Sequence, residues 1–319
     1  MPNFLTHHLF VQDIYLKNND KIDFKDRRFL KGNYFYLFWG SQGPDPLFFN
    51  GILPNNGFHP LYIKKKLGNK LHHDDFKKLL SCMLLNLEEV EEENKDAIKS
   101  FIFGQYAHYL LDSTCHPFIF YFSGFDENGK LTGKYHYKHA HYEMEIDASL
   151  ARRRDMDLFL MYPYVYLLKD EQKLKVINSF MVKVLSMYFS CKMYKNVYTS
   201  GVKNMISLIS FVNKGRDYRK YLFFNTSLSA LRVEKKEIKD DVLNIEKKTW
   251  LYPATGEKSD LSFVELFLKA QEKLNSLYDS IKDKDIWQEE DFLSYMDDLD
   301  YQGKKKEQKM IYCLHSEEK

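Results

Sequence analysis

The sequence has few cysteines, no excess of either charge and no long apolar run. Its four cysteines form no CxxC pair, so we expect reduced thiols rather than a disulfide framework. The 47 basic and 45 acidic side chains leave a formal net charge of +2, which does not favour specific nucleic-acid binding. No window approaches the ~18 apolar residues that would span a bilayer.

The opening segment, MPNFLTHHLFVQDIYLK, has neither the basic start nor the long apolar stretch of a secretory signal. The sequence therefore predicts a cytoplasmic protein. No Gly/Ser linker or internal repeat marks a domain boundary. We expect a metal-binding helical core in residues 1–165, C-terminal helices packed on it in 166–303, and a charged tail in 304–319. A single continuous domain stays open as an alternative.

Apolar residues recur at steps of three and four along most of the chain, which predicts an all-α fold. Two such faces consist of Leu174, Ile177, Met181, Leu185 and Tyr188, and of Leu261, Val264, Leu268, Gln271, Leu274 and Leu277. The clearest loops are rich in glycine, proline and asparagine, at 40–46, 53–60 and 252–260.

Histidine is almost missing from the second half of the chain, where His315 stands alone. The other ten of the 11 histidines are His7, His8, His59, His72, His73, His108, His116, His136, His139 and His141. This distribution places the chemistry in the N-terminal half.

The strongest local motif is FGQYAHYLLDSTCHPF, in which His108, Asp112 and His116 follow at four-residue intervals. On a helix each step turns the side chain by only ~40°, so the three groups share one face. Pro117 is expected to kink or end the helix. The alternative is a polar surface stripe.

A second motif, HAHYEMEID, offers two pairs at the four-residue spacing that lets two side chains hold one ion. His139 and Glu143 form one pair, and His141 and Glu145 form the other on a rotated face. Only one pair can point inward, and the other is then a solvated surface pair.

Three further segments supply single candidates. Asp45 lies in the loop WGSQGPDP, His7 lies in the opening helix, and His72 and His73 precede a further helix. Each has an ordinary structural interpretation by itself: a turn aspartate, or a packed histidine.

Taken in order, these motifs resemble the bacterial zinc-dependent phospholipase C family, an all-helical fold that also includes single-strand nucleases. The likeness rests on MPNFLTHHLF, FWGSQGPD, LGNKLHH, HYLLDSTCHP, HAHYEMEID and a later NIEKKTWLYPATGEKSDLSFVELFLKA. The resemblance implies one zinc held by Asp45, His72, His108 and Asp112, and a second held by His116, His139 and Glu143. His72 is preferred to His73 on this likeness alone.

The resemblance also implies a third metal, bound by His7 and sharing Asp112 as a bridge. Secreted members complete that site with the tryptophan exposed at their processed amino terminus, and this sequence offers no such residue. The spacing of His116 from Asp112 is also shorter than in the secreted enzymes. We therefore expect two bound zinc ions and leave the occupancy of the third site undecided.

The predicted function is zinc-dependent hydrolysis of a phosphate ester, with metal-activated water cleaving a phosphodiester or a phospholipid head group. The resemblance makes Asp45 the candidate general base as well as a ligand. Trp39, Phe38 and Phe58 either line a leaving-group pocket or pack in the core. The C-terminal helices, with a loop at Trp250, are expected to support the site.

Two other functions fit the same ligands. A non-catalytic protein would use the metals for folding or binding alone. A nuclease-like phosphodiesterase would need a base-stacking platform and a basic groove, which the near-neutral charge does not favour.

Overall fold

The computed structural model describes residues 4–17, 29–50, 61–156, 170–213, 231, 238 and 241–314. The helices in this part of the chain are α1 (Phe4–Lys17), α2 (Tyr34–Ser41), α3 (Leu61–His73), α4 (Phe76–Leu87), α5 (Glu92–Ser123), α6 (Lys134–Arg153), α7 (Glu171–Tyr188), α8 (Val197–Asn213), α9 (Phe263–Ile281) and α10 (Glu289–Leu293). A 3-10 helix spans Asp45–Phe49, and an antiparallel pair joins β1 (Trp250–Leu251) to β2 (Lys258–Ser259). The predicted all-α fold is confirmed.

Helix α5 is the central element. It contacts α1, α2, α4, α6, α7 and α9, and most of its residues from Ala97 to Phe120 are buried. A helix that is buried on every side belongs in the middle of a domain. None of the described helices combines the length and apolar character needed to cross a membrane.

Of the two expectations for Pro117, a kink or an end of the helix, the end is wrong. Proline removes one backbone hydrogen bond, yet the helix continues to Ser123 and stops before Gly124, whose φ is +78°. Phe118 and Phe120, which are buried beyond the proline, hold these last turns in place.

Helices α2 and α5 meet backbone to backbone. A Cβ atom built on Gly40 would lie 2.2 Å from the carbonyl oxygen of Phe101, and one built on Gly104 would lie 2.5 Å from that of Leu37. Such short distances mean that no side chain separates the two helices. The close approach brings Ser41 and the loop after it against the middle of α5.

The start of α1 is held by a side chain from α6. The Asp147 carboxylate accepts hydrogen bonds from the backbone N–H groups of Leu5, at 3.2 Å, and Thr6, at 2.9 Å, and from the Thr6 hydroxyl. These are N–H groups that a helix start leaves without a partner. Burial raises the pKa of Asp147 to about 7.

One hydrophobic core includes residues from both sides of the predicted boundary at 165/166, which itself lies outside the described residues.

Helix α8, in the C-terminal half, supports both α2 and the 3-10 helix. The Tyr198 hydroxyl donates to the carbonyl of Trp39, at 3.1 Å, and the Asn204 amide donates to that of Phe49, at 2.8 Å.

Residues 304–314 of the predicted charged tail pack against the end of α5. Met310 and Cys313 form a small apolar cluster with Phe120 and Phe125. The rest of the tail, 315–319, lies outside the described residues.

Candidate metal centre

Three groups of side chains in the described chain can each hold a metal ion. They are His7, His108 and Asp112; Asp45, His72 and His108; and His116, His139 and Glu143. Within each group the ligand atoms all lie within 4.8 Å of one another, and every residue is buried. The fold thus brings together all eight residues that the sequence analysis selected. Their binding of metal stays a prediction.

Helix α5 supplies the central row. Asp112 lies between two imidazoles, with Oδ1 3.2 Å from Nε2 of His7 and Oδ2 3.2 Å from Nε2 of His108. The same Oδ2 lies 3.7 Å from Nδ1 of His116. The surface-stripe interpretation of this motif is wrong, because all three side chains of α5 are buried against α1, α2 and α6.

Asp45 and His72 approach this row from the other side. Asp45 begins the 3-10 helix, and its Oδ1 lies 3.0 Å from Nε2 of His72 and 3.8 Å from Nε2 of His108. His73 is exposed, and its Nδ1 forms a hydrogen bond with the carbonyl oxygen of Asn69. The choice between the neighbours is therefore clear in the fold: His72 faces the centre and His73 does not.

Helix α6 completes the third group. Oε1 of Glu143 lies 2.9 Å from Nε2 of His139 and 3.5 Å from Nε2 of His116. The rotated pair, His141 and Glu145, lies 3.5 Å apart with side chains 35% and 26% exposed. Only the first pair points into the protein.

Four imidazoles are oriented through their Nδ1 atoms. This arrangement fixes each ring and turns Nε2 toward the centre, as in metal-binding histidines generally. Where the partner is a carbonyl oxygen, Nδ1 is the donor and Nε2 keeps its lone pair. The Nδ1 partners are the carbonyl oxygens of Gly68 for His72, Ser41 for His108 and Tyr301 for His116, and the hydroxyl of Ser123 for His139.

Several buried polar atoms in the centre make no well-directed hydrogen bond to the described residues, although some lie within 3.0–3.2 Å of another candidate ligand. They are Oδ1 of Asp45, both oxygens of Asp112, both ring nitrogens of His7, and Nε2 of His72, His108 and His116. Burying so many unpaired polar atoms is unfavourable unless another group satisfies them.

A zinc ion fits these donor atoms. Two ligands ~2.1 Å from a tetrahedral zinc lie about 3.4 Å apart. The contacts between His108 and Asp112, at 3.2 Å, and between His116 and Glu143, at 3.5 Å, are close to that separation. Imidazole nitrogens and carboxylate oxygens are also zinc ligands of the ordinary kind.

Electrostatics favours the ligand forms of most of these groups. Burial lowers the pKa of both His7 and His139 to about 4, which keeps the imidazoles neutral at neutral pH. Burial opposes ionisation of Asp112, but His116 and His108 outweigh it and hold the pKa of this carboxyl well below its usual range. His108 differs: burial acts to lower its pKa, but the neighbouring carboxylates raise it.

Tyr301 is part of the centre, although the sequence analysis did not select it. Its ring centroid lies 5.0 Å from that of His72 and 5.9 Å from that of His108. Its carbonyl oxygen accepts the bond from His116, which is 185 residues earlier in the chain. A lone tyrosine carries no motif that could have revealed this role.

Of the three aromatic residues that could line a leaving-group pocket or pack in the core, two pack in the core. Trp39 and Phe38 are fully buried in the core, and Phe58 lies outside the described residues. Trp250 packs against Phe118 of α5, with ring centroids 5.6 Å apart. The loop at Trp250 therefore supports the helix that carries the row.

Comparison with known proteins identifies a family. A family model described as zinc dependent phospholipase C matches residues 2–195. Those residues contain all eight ligand candidates but not Tyr301. A search of curated proteins and a search of solved structures gave no significant match.

Proposed function

Because the chain belongs to the zinc-dependent phospholipase C family, we propose that it hydrolyses a phosphodiester bond, with a phospholipid head group as the substrate class. One observation carries this proposal. Buried imidazoles and carboxylates converge in three adjoining groups, and many of their ligand atoms have no other partner among the described residues. A membrane-surface substrate is compatible with the cytoplasmic location, which stays a prediction.

We assign two zinc ions to the centre. The first takes Asp45, His72, His108 and Asp112, and the second takes His116, His139 and Glu143. A third ion beside His7 would share Asp112, and its occupancy depends on a further ligand. The chain before Phe4 lies outside the described residues.

The charge of the centre suits an anionic substrate. The three carboxylates contribute about −3, against +4 from two zinc ions, so a phosphodiester meets a net positive site. Bound zinc supplies Lewis acidity, which polarises phosphoryl oxygens and lowers the pKa of water. Asp45 begins the 3-10 helix and faces His72 and His108, and we assign its carboxylate the task of accepting a proton from the attacking water.

The direct test combines metal analysis with a substrate panel. Protein never exposed to chelator is expected to carry at least two zinc ions per chain and to cleave phospholipids or simple diesters. Two zinc ions without turnover would instead indicate a metal-stabilised binding protein. Cleavage confined to single-stranded nucleic acid would indicate the nuclease. One zinc or none would contradict the proposed centre.

Asp112→Asn and Asp45→Asn separate the two carboxylate roles. Asp112 faces three imidazoles, so its amide variant is expected to lose more zinc than the Asp45 variant, which is expected to lose more activity than metal. His141→Gln is the matched control, since His141 lies on α6 outside the centre. Equal zinc loss in both variants, with full activity in Asp45→Asn, would contradict the assignment.

A further inference from the structure

A segment far from the ligand motifs crosses the face of α5 beside the metal centre. This crossing segment, residues 297–304, follows α10. The Tyr109 hydroxyl of α5 donates to the carbonyl oxygens of Asp297, at 3.0 Å, and Leu299, at 2.7 Å. The Asp300 carboxylate accepts from two backbone N–H groups within the segment, at 2.9 and 3.2 Å. The segment is thus tied to α5 and to itself.

Tyr301 extends from this segment into the protein. Only 1% of the residue is exposed. Its ring centroid lies 5.0 Å from that of His72, 5.9 Å from that of His108 and 5.5 Å from that of Tyr109. Its backbone carbonyl oxygen accepts a hydrogen bond from Nδ1 of His116. One residue therefore touches ligand candidates of both proposed zinc sites.

The Tyr301 hydroxyl is buried and has no hydrogen-bond partner among the described residues. Two neighbouring buried tyrosines, both on α5, have partners within the protein. The hydroxyl of Tyr106 donates to the carbonyl of Phe292, at 3.2 Å, and that of Tyr109 donates to Leu299. A hydroxyl buried without a partner is unfavourable by itself, so it calls for a partner that is not among the described residues, such as a bound ligand.

We propose that Tyr301 is a substrate-binding residue whose hydroxyl donates a hydrogen bond to a phosphate oxygen held at the metal centre. This inference rests on the proposed function, and it names a contact from outside the residues that the family model matches. A phenol is protonated at neutral pH and is a good donor to an anionic oxygen. Its ring lies against His72 and His108, two ligand candidates of the first proposed zinc site, so a phosphate bound at that site would lie near the same tyrosine.

The test measures binding of inorganic phosphate to the zinc-loaded protein by titration calorimetry. Tyr301→Phe keeps the ring and removes only the hydroxyl, so folding and zinc content are expected to be unchanged. Phosphate affinity is expected to fall by about 10-fold or more, the range for a hydrogen bond to a charged group. Tyr106→Phe is the matched control, and its phosphate affinity is expected to equal that of the wild-type protein.

Unchanged phosphate affinity in Tyr301→Phe would overturn the inference. So would loss of zinc or of the folded state in that variant, since the hydroxyl would then serve the protein's own structure. A zinc-loaded wild-type protein that does not bind phosphate would overturn it as well. Because phosphate binding needs no turnover, a protein that binds phosphate through Tyr301 but cleaves no diester would refute the proposed function alone.

Discussion

Gly43 offers a sharp test of the metal centre, because its place in the loop is set by a ligand candidate. Its φ is +54°, and an added Cβ would lie 2.3 Å from Cδ2 of His108. The loop has little freedom to withdraw, since the Gln105 amide donates to the carbonyl of Gly43, at 3.1 Å. In Gly43→Ala the imidazole must therefore move.

Two effects of this substitution can be separated. The left-handed backbone costs a non-glycine residue about 1–2 kcal/mol, with or without metal. The second effect is steric. Carbon atoms pack at about 3.5 Å or more, so the His108 ring must shift by roughly 1 Å. His108 belongs to two of the three groups, and disturbing the support of a ligand weakens metal binding about 10- to 100-fold.

Gly133→Ala is the matched control. The φ of Gly133 is +51°, and an added Cβ would meet nothing within 4 Å. Chelated Gly133→Ala is expected to lose about 1–3 kcal/mol of unfolding free energy in urea, because non-glycine residues rarely adopt φ +51° with ψ −122°, and chelated Gly43→Ala is expected to lose at least as much. Only Gly43→Ala is expected to lose zinc, as measured by elemental analysis after dialysis against a weak chelator. Equal zinc content in the two variants would refute the reasoning.

Two further predictions concern α1. Burial lowers the pKa of His8 from 6.5 to about 4. Between these pH values the unfolded chain binds a proton that the folded protein does not bind, so the chelated protein is expected to lose stability as the pH falls from 6.5 to 4. The loss attributable to this residue is at most roughly 3 kcal/mol, and urea unfolding of His8→Phe at pH 6.5 and 4.5 should show a correspondingly smaller change; an identical change would contradict it. Asp147→Asn leaves a single oxygen for the N–H groups of Leu5 and Thr6, so at pH 8 it is expected to lower stability by about 1–2 kcal/mol. Urea unfolding measures the difference, and unchanged stability would rule out this role of Asp147.

The repeated spacing along the chain predicted much of the fold and the ligand row. A four-residue interval keeps His108, Asp112 and His116 on one helix face whatever the rest of the chain does. The same periodicity predicted the α7 face, whose apolar residues are all buried. These features depend on local geometry, which a sequence carries directly.

The remaining features depend on how the helices pack. His72 and His73 are neighbours on α3, and only the approach of that helix to Asp45 determines which of them faces the centre. The hydrogen bonds that orient His108 and His116 are accepted by backbone carbonyl oxygens, which every residue type carries. Tyr301 reaches the centre through a loop whose path no local pattern encodes.

The contact between Gly40 and Gly104 has an evolutionary consequence. A harmful change of side-chain volume in a core is often offset by a second change nearby, as when a smaller neighbour makes room for a larger residue. Here the atoms that would clash with a new side chain include the backbone carbonyl oxygens of Phe101 and Leu37. A backbone carbonyl remains in place whichever residue type occupies the position. Descendants that alter either glycine must move α2 as a whole. That movement would carry the Ser41 carbonyl away from His108, so any gain in packing would be accompanied by a loss of ligand geometry.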